Sequence, residues 1–296
     1  MLKTPGLAGA RIPDADSRAS WEDVLPEPLV RAIEEAYQPI PQNPKLVLQR
    51  DRARLDWNLQ TIKGAYDRAG KKDPRWDDEA LKTLEAAARH FSREDVSPEE
   101  VFEQAERALA AGCDDPMVLY VRARASGGDN FPGDAEYVQR HLDAARALQP
   151  TEYPAFRKGI ALYNAAKLLT DRSAPGSEQR EEAIRMLDDS LALMPESVEH
   201  DERTPLLLEE WTTWAETINN EYRRALGDLQ EVIDRLERGT AEKPELRPAF
   251  LKAKAKYLIE AAWEVRGTGV AQTVTPEGWK AVEEDFTEAR KILEEA

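Results

Sequence analysis

Apolar residues recur along this chain at steps of three and four, the period of an amphipathic helix. One stripe runs through Leu48, Leu55, Leu59, Ile62 and Tyr66 and predicts a single long helix after Pro44, closed by Gly70 and Lys71. Trp76, Leu81, Leu84, Ala88 and Phe91 mark another, and Val101, Ala105, Ala108 and Leu109 its partner. From Glu27 to Ala296 no run alternates Val, Ile, Thr and aromatics as a half-buried strand does. The expected fold class is all-α.

Prolines divide the helical pattern into units. Pro74, Pro116, Pro154, Pro205 and Pro248 each stand two residues before a large apolar residue, at intervals of 42, 38, 51 and 43 residues. Proline suits a first helical turn, where its missing N–H has no partner to lose. Intervals of this size mark stacked helical hairpins, each burying its apolar face against its neighbours. The spacing predicts pairs at 74–91 with 98–111, 116–125 with 134–148, 154–170 with 178–194, 205–219 with 221–238, and 248–266 with 276–295. Ser97-Pro98-Glu99-Glu100 has a cap, a first-turn proline and a glutamate three residues after the cap, and Gly112 ends the helix it opens. Residues 1–20 lack periodicity and read as a disordered or extended tail. Residues 21–72 read as N-terminal helices, the first short and marked by Leu29, Ile33 and Tyr37. Residues 73–296 form the repeated part.

Two units share more than their opening. Pro154-Ala155-Phe156-Arg157-Lys158 matches Pro248-Ala249-Phe250-Leu251-Lys252, and a tyrosine follows each phenylalanine by seven residues, at Tyr163 and Tyr257. In the second helices, Val138, Leu142, Ala145 and Pro150 step as Ala183, Leu187, Ser190 and Pro195 do. A small residue three after a large one lets a neighbouring helix approach closely. With these features the chain resembles the tetratricopeptide-repeat family over residues 74–296, although Gly159-Ile160 and Ala253-Lys254 stand where its Leu-Gly pair is usual. The resemblance implies a right-handed superhelix of about five hairpins, whose first helices line a concave peptide-binding groove.

Composition narrows the function. Of 296 residues, 33% are charged and the net charge is −16, which disfavours nucleic acid and anionic membrane surfaces, since both need a basic footprint. A single cysteine, Cys113, leaves no internal disulfide and no thiolate cage. The simplest location is cytoplasmic. His90, His141 and His200 fall in different units without ligand spacing, and Glu199-His200-Asp201-Glu202 reads as a polar loop. Asp77-Asp78 suits a helix start, and Asp114-Asp115 precedes Pro116 as a cap. No cofactor, metal or catalytic constellation is expected.

Basic side chains on the first helices stand out in so acidic a chain. Arg122 and Arg124, Arg157 and Lys158, and Lys252, Lys254 and Lys256 would line a groove, with Asn164 beside them, and favour an acidic peptide or a free carboxylate. Trp76 and Trp263 lie on apolar stripes and are expected in the core. Trp211 and Trp214 share a helix face, and they either pack between units or offer an aromatic patch to a partner. The reading is a non-enzymatic scaffold for a protein or peptide partner. An all-helical toroid enzyme and a regulatory domain of a longer protein, the latter suggested by the apolar stripe Val282, Phe286, Ala289, Ile292 and Leu293, are the alternatives.

Overall fold

Every regular element among the described residues of the computed structural model is helical, so the chain is all-α. The structure describes residues 44–127, 131–197, 204–226, 229–241, 243–267 and 274–295. The expected tail, the short helix around Ile33 and the loop containing His200 lie outside them. The elements are α1 (Pro44–Thr61), α2 (Lys63–Ala69), α3 (Asp77–Phe91), α4 (Pro98–Ala110), α5 (Pro116–Ala125), α6 (Asp134–Leu148), α7 (Ala155–Arg172), α8 (Glu178–Ala192), α9 (Thr204–Leu226), α10 (Leu229–Thr240), α11 (Arg247–Arg266) and α12 (Pro276–Glu295). No helix among the described residues is long and apolar enough to cross a membrane.

Local chemistry sets the helix ends. Ser97 caps α4 by accepting from Glu100 N–H, and the chain leaves that helix through Gly112 at φ +97°, a conformation that glycine adopts without strain. Asp115 caps α5 by accepting from Met117 N–H at 2.8 Å. It also accepts from Lys71 N–H and from the Tyr153 hydroxyl, each at 2.9 Å, so one fully buried carboxylate joins the starts of three units. Burial and the adjacent Asp115 raise the Tyr153 pKa, which keeps the phenol a donor. The ends of α7 and α9 are tied by Arg180, which donates to Thr170 O and Ser173 O at one helix and to Arg224 O at the other.

Each odd-numbered helix from α3 packs against the even-numbered one that follows, and α3, α7 and α9 also touch the next odd-numbered helix. Shared contacts fix their directions. Phe156 near the start of α7 meets Trp211 near the start of α9, while Asp171 near the end of α7 pairs with Arg224 near the end of α9. Glu216 and Arg223 of α9 pair in the same sense with Lys256 and Glu260 of α11. The odd-numbered helices α7, α9 and α11 are therefore a parallel row, backed by the even-numbered ones.

Two boundaries differ from the sequence reading. The first long helix is divided at Ile62, where the backbone departs from ideal α geometry, and Thr61 Oγ1 donates back to Trp57 O at 2.7 Å, a bond that bends helices. Its buried side is rotated in the first part: Leu48 is exposed, and Ala53, Arg54, Trp57, Asn58 and Thr61 are buried, while Ile62 and Tyr66 of the expected stripe are fully buried. The break expected near residue 220 is absent, because Ile218 and Tyr222, both fully buried, carry the apolar face of α9 on to Leu226.

The close approach of α7 and α9 depends on Gly159. A Cβ there would lie 2.1 Å from the Trp214 ring. Trp214 Nε1 donates to Ser190 Oγ at 3.1 Å, and Ser190 Oγ donates to Gly159 O at 2.7 Å, which links α7, α8 and α9. Gly159→Ala gains about 1 kcal/mol of helix propensity, yet overpacking costs about 1–3 kcal/mol or more. Urea denaturation should show a net loss of stability in this variant.

Candidate functional site

The parallel row offers one long face, and α1 lies across part of it. Thr61 and Asn58 meet Arg157 of α7, Trp57 meets Phe156 of α7 and Trp211 of α9, and Arg54 meets Glu210 of α9. The stretch from Arg54 to Thr61 spans roughly 10 Å at a helical rise of about 1.5 Å per residue, close to the spacing of neighbouring packed helices. The first helix therefore crosses the row instead of running along it.

Aromatic rings form the floor of this crossing. Trp57 and Phe156 meet edge to face at 4.6 Å, Phe156 lies 5.7 Å from Trp211 and 5.2 Å from Trp214, and Trp57 lies 5.8 Å from Trp211. Such pairs stabilise by about 0.5–1.5 kcal/mol beyond the area they bury. The indole N–H of Trp211 finds Ser197 Oγ at 2.7 Å.

Polar bonds fix the register above that floor. Arg157 is 4% exposed, and its guanidinium donates to Asn58 Oδ1 and Thr61 Oγ1 and stacks 4.7 Å from the Trp57 ring. Desolvation lowers its pKa to about 10, so it remains a cation at neutral pH. Asn58 Nδ2 donates to Ser92 Oγ beside α3 at 2.8 Å, so one amide bridges α3 and α7. Arg54 donates to Glu210 at 2.6 Å and to Glu209 at 3.4 Å, and Arg50 donates to Glu209 at 3.1 Å.

This arrangement corrects the expected site. Arg157, Trp211 and Trp214 are buried, the tryptophans at 3% and 1% exposure, so none is open to a partner here. Trp263 is the reverse case: it is 43% exposed although its stripe placed it in the core. Arg122 is held by Glu106 and lies over Phe102. Lys158 donates to Thr151 O, and Asn164 Nδ2 donates back to Ile160 O at 2.6 Å. Lys256 pairs with Glu216 at 2.9 Å, while Lys252 is exposed. Arg124 is exposed too, with its guanidinium over the Phe91 ring. The expected basic stripe is thus largely occupied by internal partners. Cys113 is buried, and desolvation pushes its thiol up to about 11, away from nucleophilic chemistry.

Beyond α1 the face continues toward the helix ends. Helical spacing from Arg157 carries it to Ile160, Asn164 and Leu168, and from Glu209 to Thr213, Glu216 and Thr217. Thr213 is exposed and the others are half-buried. Sequence reasoning missed Arg54, Trp57 and Asn58; the signal available was a tryptophan flanked by polar residues one turn apart. Comparison of the chain with models of protein families, with curated proteins and with solved structures finds no match.

Two outcomes are expected. Arg54→Ala should destabilise the protein by about 1.5–3 kcal/mol, the range for hydrogen bonds to charged groups. A double-mutant cycle with Glu210→Gln, followed by chemical denaturation, should return a coupling above about 0.5 kcal/mol. The second concerns His141, which is buried beside Tyr137 and whose pKa falls to about 4 through desolvation and then the nearby Arg124. The unfolded imidazole takes a proton near pH 6.5, but the folded one resists until about pH 4. Stability contributed by neutral His141 is present above pH 6.5 and is lost as pH falls toward 4, by about 3 kcal/mol in all. The pH dependence of unfolding across that window should flatten in His141→Phe.

Proposed function

We propose that this chain is a non-enzymatic interaction scaffold, a tetratricopeptide-like superhelix that takes a peptide or protein segment along the face of α7, α9 and α11 left open beside α1. The observation that carries the reading is the parallel row itself, in which successive first helices present the same side. Side chains at repeated positions then meet successive residues of a ligand. Ile160 and Leu168 supply aliphatic contact, Asn164, Thr213 and Thr217 supply polar register, and Lys252 and Lys256 supply positive charge at the α11 side. Lys256 is shared with Glu216, so the preference for acidic segments rests mainly on Lys252 and is modest.

Fluorescence anisotropy with labelled acidic and neutral peptide pools tests this. Acidic peptides should bind more tightly, and Lys252→Ala with Lys256→Ala should remove the difference. Asn164→Ala should weaken both pools, by about 0.5–1.5 kcal/mol if one neutral hydrogen bond is lost. Equal affinity for both pools, unchanged by all three substitutions, would contradict the proposed face.

A further inference from the structure

The last helical pair carries an apolar edge with no use in the groove described above. Trp279, Phe286 and Leu293 are seven residues apart and so lie on one line along α12. Of the expected C-terminal stripe, Ala289 and Ile292 turn inward and are buried, whereas Leu293 is 47% exposed and Phe286 is half-buried. From α11, Trp263 packs edge to face on Phe286 with ring centres 6.0 Å apart. Arg266 lies 4.8 Å from the Trp263 ring and 5.4 Å from the Trp279 ring, which joins the two helices into one continuous patch. Trp263 and Leu293 are two of the five large hydrophobic residues that stand exposed among the described residues. Clustering of this kind marks an interaction surface, whereas scattered apolar residues do not.

The charges flanking this edge indicate what covers it. Glu283 and Arg290 are also seven apart, beside the apolar line and both exposed. Reversing α12 end for end about Phe286 places Trp279 opposite Leu293 and brings Glu283 level with Arg290 to within one residue, about 1.5 Å of helical rise. The same face thus complements itself in charge and shape when two copies run antiparallel, as an isologous contact requires. A parallel two-fold arrangement would put the two Glu283–Arg290 flanks on opposite sides of the seam, where these charges have no reciprocal partner. Arg290 now spans to Glu294 at 2.9 Å, an exposed pair of little net worth that a better-placed carboxylate can replace.

We propose that two copies of this chain associate through α12, antiparallel, with Phe286 at the two-fold axis and two reciprocal Glu283–Arg290 pairs beside it. Trp263 of each copy extends the apolar centre, and the charged residues form its rim. The contact leaves the part of the face on α7 and α9 open, while Trp263, seven residues after Lys256 on α11, borders its α11 end; the proposal goes beyond the scaffold reading, and its readout is mass rather than peptide binding.

Sedimentation equilibrium of the full chain over low to high micromolar concentration tests the proposal. The mass should rise from the 33.4 kDa of one chain toward twice that value. Phe286→Glu should weaken association by about tenfold or more, a loss of at least about 1.4 kcal/mol. Glu283→Arg and Arg290→Glu should each do the same alone, and together they should restore it. Circular dichroism of each variant confirms that it is folded. A monomer at every concentration, or a dimer indifferent to Phe286→Glu, overturns the proposal. A dimer that the single charge reversals weaken and the double reversal fails to restore overturns the antiparallel arrangement.

Discussion

A buried cation held by a neighbouring helix is the constraint on which the described structure depends most. Arg157 has left water for a place where its partners are an amide oxygen, a hydroxyl and two aromatic faces. Removing a guanidinium from water is expensive unless its donors are met. Asn58 and Thr61 meet them only when α1 lies across the row, and Trp57 then closes the aromatic floor. The first described helix is thereby bound to helices that follow it by about a hundred residues. Helical hairpins otherwise contact their sequence neighbours alone. This one seam gives the molecule a long-range tie.

The tie also sets which part of the row stays open to the partner proposed for it. A row of parallel helices has a face long enough for an extended partner, but α1 takes the part that begins at Arg157 and Glu209. What remains is lined by hydroxyl, amide and aliphatic groups, with positive charge confined to one side. On the proposed reading, recognition there would rest on shape and register more than on charge, despite the net charge of −16 on the whole chain. Carboxylates that would otherwise repel an acidic ligand are partly consumed inside the molecule, as at Glu209, Glu210 and Glu216.

Much of the architecture was legible because it is written locally. Ser97 and Pro98 start a helix where they stand, and Gly112 ends it, for reasons contained within a few residues. Pro116–Ala125 and Asp134–Leu148 match the expected bounds for the same reason. The candidate site was far less legible. Arg157 looks identical in sequence whether it faces solvent or lies under a helix from another unit, and nothing near it names Asn58. Trp263 and Trp214 sit on similar stripes, yet one is exposed and the other buried, because burial depends on which neighbour arrives. Gly159 is in sequence only a departure from a family pattern; the Trp214 ring that explains it lies two helices further along the chain.

Hydrogen exchange followed by mass spectrometry, across a series of denaturant concentrations, tests the long-range tie most directly. If α1 is held by the Arg157 seam, amides of residues 44–61 exchange through the same cooperative opening as those of α7 and α9, with a shared free energy and denaturant dependence. Fast exchange of 44–61, independent of denaturant while α7 and α9 stay protected, would contradict the account.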